Sequence, residues 1–256
     1  MNVLVIGGAG FIGSHTVDAL LARGYSVRVL DSLLKPVHQK GVPDYLPGAI
    51  EFIRGDVRDK ATLEAALQGM DVVYNFAAYQ DYLPDFSTFF HVNTVGTALI
   101  FEIIVEQKLP IQKVIVATSQ AVAGEGLYQD QSGRTFTPDM RPEAQLARGE
   151  WEIVGPDGNV AQYLHTPESV SNPTNAYGMS KLAQELATLN FGRRYDIPSV
   201  AMRYSIVQGP RQSFYNAYSG ACRIFCLSMY FDRAPVLYED GLQIRDYVNI
   251  HDVVDA

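Results

Sequence analysis

The chain has 256 residues, 47% of them apolar and 19% charged, enough for one or two domains around a large core and ordinary for a soluble enzyme. A formal net charge of −8 argues against a nucleic-acid or anionic-membrane partner. Two cysteines, Cys222 and Cys226, make no disulfide framework. With no His or Cys beside them they read as buried thiols on one helix face, so no metal site is expected.

Val3-Leu4-Val5-Ile6 is apolar and mostly β-branched, and reads as a fully buried strand. It is too short for a signal peptide or a spanning segment, and the expected compartment is the cytoplasm. The strand runs into Gly7, Gly10 and Gly13, then into residues 14–24, where Val17, Leu20 and Leu21 share one helical face. Strand, glycine turn and helix form the first half of a dinucleotide-binding unit. Gly7 permits the tight turn, Gly10 lets backbone approach a pyrophosphate, and Gly13 lets the helix lie close to the strand. Phe11 and Ile12 stand at the helix N-terminus, whose free N–H groups and partial positive charge suit phosphates.

Residues 25–30 form a second strand that ends at Asp31, with Ser32 beside it. An acid here accepts hydrogen bonds from the adenosine ribose and repels a 2′-phosphate, which selects NAD over NADP. A turn aspartate would end any strand equally well; the glycines before it decide for the ribose. A polar, proline-broken loop covers residues 32–48. The third strand is at 50–57 and ends in Asp56-Val57. A helix at 60–68 leads to the fourth strand, 71–76, followed by the small pair Ala77-Ala78, which lets backbone pass close to the cofactor. A long helical segment covers 85–108. The fifth strand, Val114-Ile115-Val116-Ala117-Thr118-Ser119, delivers hydroxyls to the carboxyl edge of the sheet, where open parallel sheets bind ligands.

Helical periodicity then dissolves between Gly124 and Pro173. One hairpin is expected there, Trp151–Val154 against Val160–Leu164. We expect the 125–173 insertion to be a small subdomain on the substrate side. A helix over 175–195 carries Tyr177 and Lys181, four residues apart and so on one face. A nearby ammonium is expected to lower the phenol's pKa from its usual value of about 10. The sixth strand covers 199–204. A second, substrate-binding part begins at Gly209-Pro210-Arg211, and a strand at 243–249 is expected to return to the sheet. Asp252 opens a further helix.

The Gly-x-x-Gly-x-x-Gly spacing resembles the short-chain dehydrogenase/reductase superfamily. The opening as a whole resembles its extended branch, which includes the nucleotide-sugar epimerases and dehydratases. Tyr177-Gly178-Met179-Ser180-Lys181 is the second family motif. Arg203-Tyr204-Ser205-Ile206-Val207-Gln208-Gly209-Pro210-Arg211 resembles a third, with Ile206 where the family carries Asn, and Arg245-Asp246-Tyr247 a fourth. The resemblance implies a doubly wound α/β fold of Rossmann type. Residues 1–205 would be the dinucleotide-binding domain and 206–256 the start of a shortened substrate domain. It makes Ser119, Tyr177 and Lys181 the catalytic set, with Lys181 also holding the nicotinamide ribose. Asp56 and Val57 fall at the adenine, and Phe76, Ala77, Ala78, Asn93 and Tyr204 along the rest of NAD. Asn93 is expected to steady the architecture around the site. Gln80, Gln120, Arg211 and Arg245 are implied as substrate contacts, with Arg245 clamping the diphosphate.

Gln120 and Ala121 follow Ser119 where sugar dehydratases carry acids. Without an acid–base pair, elimination has no proton carriers, whereas oxidation and re-reduction at one carbon needs only Tyr177, Ser119, Lys181 and NAD. The resulting expectation is an NAD-dependent nucleotide-diphosphate-sugar 4-epimerase working through a 4-keto intermediate. Alternatives are a dehydratase or reductase of the same family, or a non-catalytic NAD-binding protein. The insertion, with Arg141-Pro142-Glu143 and Leu146-Ala147-Arg148-Gly149-Glu150-Trp151-Glu152, looks like that of dTDP-L-rhamnose 4-epimerase-type proteins, which suggests a dTDP-6-deoxyhexose. A homodimer is expected through the helices at 85–107 and 175–192, with Phe89, Ile100, Ile104, Leu186 and Leu189 on their outer faces.

Overall fold

A computed structural model describes residues 1–35, 37–214, 216, 218 and 220–256. Alternation along the first strand, β1 (Asn2–Ile6), sets the architecture. Successive side chains on a strand point to opposite faces, so Leu4 and Ile6 enter one core and Val3 and Val5 another. Both faces are covered, which is why the strand reads as an unbroken apolar run. β1 pairs in parallel with β2 (Ser26–Asp31) on one side and β4 (Val72–Asn75) on the other. With β3 (Glu51–Arg54), β5 (Lys113–Ala117) and β9 (Ser199–Met202) they make a six-stranded sheet of order β3-β2-β1-β4-β5-β9, all parallel. The order reverses between β1 and β4, so the crevice beyond their carboxyl ends is the switch point where such sheets bind ligands.

Helix α1 (Phe11–Ala22) lays Val17 and Leu20 on the Val3/Val5 face. The other face is covered by α2 (Lys60–Leu67) and by a continuous helix made of α3 (Phe86–Phe89), a π-helical turn (Phe90–Val95) and α4 (Gly96–Glu106). Gly96 is required there, because a Cβ would stand 2.8 Å from the Val57 side chain. This run of 21 residues is long and apolar enough to cross a membrane by length and composition. Its apolar side, with Phe89, Ile100, Phe101, Ile103 and Ile104, is instead buried in the protein. Phe89, Ile100 and Ile104 therefore do not lie on an outer face, contrary to expectation: the core against the sheet claims Ile100 and Ile104, and Phe89 packs on Tyr79.

Between β5 and the next long helix, the insertion forms a small antiparallel sheet. β6 (Leu127–Gln129) lies between β7 (Thr135–Phe136) and β8 (Gln162–Leu164), with the one-turn helix α5 (Glu143–Leu146) beside them in sequence. The expected hairpin shrinks to the Val154–Val160 bridge, and its returning strand pairs with β6 instead. Helix α6 (Ala176–Tyr195) is capped by Asn175, whose side chain accepts from Gly178 N at 2.8 Å.

β10 (Ile206–Gln208) and β11 (Tyr247–Asn249) pair with each other in a separate parallel sheet, so the strand expected at 243–249 is shorter and does not rejoin the main one. Helix α8 (Ile250–Asp255) docks on α1 and starts two residues before Asp252, with Asn249 as its cap. Helix α7 (Ala221–Tyr230) buries none of its residues. The cysteines on it are therefore not buried thiols: Cys222 is half-buried and Cys226 exposed.

Candidate active site

The glycine turn closes on itself through Gly10 N donating to Gly7 O at 3.1 Å. A Cβ on Gly13 would lie 2.2 Å from Gly7 O, and one on Gly7 2.7 Å from Ala77 N, so both approaches require glycine. No side chain caps α1. Its first N–H groups, those of Phe11 and Ile12, therefore have no intrahelical partner.

Asp31, 8% exposed, accepts from Ala9 N at 3.0 Å and from Leu33 N at 2.8 Å. A carboxylate offers about four acceptor positions, so two remain for ribose hydroxyls. Ser32 beside it is exposed. The loop after β2 folds back over the turn: Tyr45 donates to Ala9 O at 2.8 Å, and the buried His38 lies 4.0 Å from Asp31. Burial pushes the His38 imidazole down, against the pull of Asp31. Nothing in a polar loop's composition announces either residue.

Asp56 binds Arg58 through backbone and side chain, which holds its carboxyl below the usual range. Val57 is buried under Gly96, Phe76 and Ala77 pass directly beside Gly7, and Ala78 is exposed. Tyr204 packs with Phe11 and Ile12, and burial pushes its phenol up to about 12. Asn93 is fully buried. It takes Tyr79 N at 2.8 Å and donates to Tyr79 O and Ser180 Oγ. These bonds make it a brace between the Tyr79 backbone and α6.

Tyr177 is buried where α6 meets the end of β5. Gln80 donates to its hydroxyl at 2.8 Å, and Ser119 stands close enough to favour its phenolate form. Ser119 also caps the 3₁₀ turn Gln120–Ala123, its Oγ accepting from Ala121 N at 3.1 Å. Thr118, the neighbouring hydroxyl, points away to Glu185 at 3.3 Å. Tyr218 packs edge-on against the Tyr177 ring at 5.3 Å, and Tyr82 against Tyr218 at 4.9 Å. This aromatic cover was not foreseen; Tyr82 and Tyr218 belong to no motif.

Lys181 is 1% exposed, with its Nζ 6.0 Å from the Tyr177 ring centre. Burial pushes its pKa down to about 7 and raises that of Tyr177, whereas the Ser119 and Gln80 bonds favour the phenolate. Contrary to the expected lowering of the Tyr177 phenol by Lys181, its pKa is raised: both groups lose their water, and desolvation dominates.

The implied substrate contacts divide. Gln80 and Ser119 meet Tyr177. Gln120 is exposed, bonded by Ser205 at 3.3 Å, on the same turn. Arg211 lies elsewhere, paired with Asp18 of α1 at 2.7 Å and stacked 4.8 Å from the Tyr45 ring. Arg245 is exposed and donates to the adjacent Ile244 carbonyl at 2.7 Å. Neither arginine is brought to Tyr177: Arg211 is tied to α1 and to Tyr45, and Arg245 lies on an exposed stretch of the C-terminal segment.

A parallel sheet with a glycine turn at its switch point and a Tyr–Ser–Lys cluster across the crevice defines a nucleotide-dependent oxidoreductase-type enzyme. The chain belongs to the NAD dependent epimerase/dehydratase family, whose sequence pattern matches residues 3–145 and 152–256. Among characterised relatives it is similar to a dTDP-L-rhamnose 4-epimerase of Burkholderia thailandensis, 33% identical over the whole of this chain and 71% of that protein. It is also 30% identical to a putative UDP-glucose 4-epimerase of Methanocaldococcus jannaschii, over 99% of this chain and 71% of the relative. The UDP-glucose 4-epimerase of Thermotoga maritima, solved with UDP-glucose, superposes with a TM-score of 0.75 at 26% identity, covering 100% of this chain and 71% of that one. The Thermus thermophilus enzyme, solved with NAD, does so at 0.73 and 29%, covering 100% and 72%.

Proposed function

We propose that the chain is an NAD-dependent nucleotide-diphosphate-sugar 4-epimerase, with a dTDP-6-deoxyhexose as the favoured substrate class. The observation that carries the reading is the buried Tyr177 hydroxyl, bonded by Gln80 with Ser119 beside it at the switch-point crevice, and with no carboxylate on the Ser119-Gln120-Ala121 turn. The cradle fits NAD: Gly7, Gly10 and Gly13 leave its path clear, the Phe11 and Ile12 amides at the uncapped start of α1 would hold the pyrophosphate, and Asp31 keeps acceptor capacity for the ribose. Bound there, NAD would supply reversible hydride-acceptor chemistry at the sugar's C4. Tyr177 Oη removes the 4-hydroxyl proton as the carbonyl forms and returns it when the carbonyl is reduced from the other face. Ser119 and Gln80 orient that oxygen. Lys181, when charged, favours the phenolate.

The 33% identity to a dTDP-L-rhamnose 4-epimerase supports the sugar class. We also propose a homodimer. Its contact surface would be formed by the exposed Phe86, Phe90 and Val95 on the long helix and Met179, Leu186 and Leu189 on α6. The same reading takes the cytoplasm as its compartment, because nucleotide sugars are made and used there; recovery in the membrane pellet on fractionation would contradict it. The function is tested by incubating the protein with dTDP-L-rhamnose and UDP-glucose, without added cofactor, and following C4 epimers by NMR. Epimer formation from either is expected; none from both would overturn the reading.

A further inference from the structure

Lys181 is held by a buried side chain that belongs to no motif. Its Nζ donates to the Ala117 carbonyl at 2.9 Å and to Gln184 Oε1 at 2.8 Å. Gln184 is itself fully buried, and its Nε2 donates to Thr97 Oγ1 at 2.8 Å. Thr97 also accepts from Asn75 Nδ2 at 3.0 Å and donates its one hydrogen to Asn93 O at 2.8 Å. Asn75 in turn accepts from Ala77 N at 3.2 Å, on the segment beside the glycine turn. The orientation of the Gln184 amide is fixed from both ends. An ammonium only donates, so it must meet the oxygen, and Thr97 has no hydrogen left, so it must meet the nitrogen.

We propose that Gln184 is a positioning residue for the reaction: with the Ala117 carbonyl it fixes the Lys181 ammonium beside Tyr177 and holds it in its charged form. This rests on the epimerase reading for its purpose, but the anchor itself does not depend on it. Two of the three ammonium hydrogens are committed to Ala117 and Gln184, which leaves one for a ligand hydroxyl. Burial opposes the charge, and the two acceptors counter it. The other ionisable groups around the site do not substitute for them. Glu185, next on the helix, is paired with Arg203 from the end of β9 at 2.7 Å; Asp85 before α3 accepts the Tyr79 hydroxyl; Tyr177 is held as a phenol by burial. From α4, the π turn and β5, the groups that meet this chain are the neutral Thr97, Asn93 and Ala117.

The test is titration of the Lys181 side chain by NMR in the free protein labelled with ¹³C-lysine, the resonance being assigned with Lys181→Met. A hydrogen bond to a charged group corresponds to about one to two pH units here, so Gln184→Leu should move the midpoint down by that amount. Gln184→Glu should move it up, by setting a carboxylate against the ammonium. Thr97→Val, which frees the Gln184 amide to turn, should give a smaller downward shift and keeps the test available should Gln184→Leu fold poorly. In turnover, Gln184→Leu should lower kcat with little change in KM, and lowering the pH should recover part of it. An unchanged Lys181 midpoint in folded Gln184→Leu, or in Thr97→Val and Gln184→Glu together, would overturn the proposal even if epimerase activity is found. A shifted midpoint in a protein that epimerises nothing would uphold the anchor and reject only the reaction.

Discussion

Tyr177 and Lys181 lie four residues apart on one helix, and the interior treats them alike: each loses its water and each is pushed toward its neutral form. Tyr177→Phe keeps the ring and its contact with Tyr218 but removes the oxygen that Gln80 bonds. Epimerisation should fall by about 10²–10⁴-fold with NAD binding retained. Turnover like that of the unmodified protein would show that another group moves the proton. Lys181 makes a prediction about stability. Its folded pKa of about 7 lies below the unfolded value of about 10.4, so between those pH values the unfolded chain binds a proton that the folded chain does not. Stability should therefore rise with pH across that window, and the full penalty should apply below it. The melting temperature of the unmodified protein relative to Lys181→Met should climb between about pH 7 and pH 10; a constant difference would contradict the burial argument. The spacing of the pair is legible from the sequence, because helical geometry alone puts both on one face. The net direction of their pKa shifts is not, since it depends on how much protein covers them.

At the scale of elements, α6 faces the core with Ser180, Lys181, Gln184, Glu185 and Thr188, a polar stripe rather than an apolar one. Such a helix is held by completed hydrogen bonds and close backbone approach. Gly178, for example, lies where a Cβ would be 2.6 Å from the Ala121 carbonyl. Glu185 is the strongest case. Arg203 grips it with two bonds of 2.7 and 2.8 Å and reaches on to the Val170 carbonyl, tying α6 and β9 to the insertion. Arg203→Met should cost about 3–5 kcal/mol by leaving a buried carboxylate unpaired. Removing both charges in Arg203→Met with Glu185→Gln should restore much of it, and equal losses in single and double variants by urea unfolding would refute the pairing. Arg203 stands in a motif that the sequence displays, but its partner lies 18 positions away on another element, and no spacing rule connects them. The parallel strands were readable for the opposite reason: burial on both faces leaves an apolar run that needs no partner to be recognised.

For the molecule as a whole, the nucleotide half is more fully determined than the remainder. β1 to β5 and β9 close two cores, whereas α7 and the segment after it expose Tyr230, Val236, Leu237, Tyr238 and Leu242. The motifs imply Arg211 as a substrate contact and Arg245 as the diphosphate clamp, yet no core fixes Arg245, and Arg211 is held by Asp18 instead. The outer face of the long helix likewise misled: its apolar residues serve the sheet as well as the surface, and sequence alone does not say which does which. If Leu186 and Leu189 lie in a dimer contact, light scattering should give twice the chain mass at micromolar concentration, and Leu186→Glu with Leu189→Glu should give a monomer. A monomer before substitution would refute the interface.

The central claim is that one hydrogen leaves C4 of the sugar and returns to the same carbon on its other face. It is tested by supplying a nucleotide sugar deuterated at C4 in ordinary water and following the product by NMR and mass spectrometry. The account predicts an epimer that retains deuterium at C4, at unchanged mass. Loss of the label to solvent, or a product lighter by one water, would contradict it.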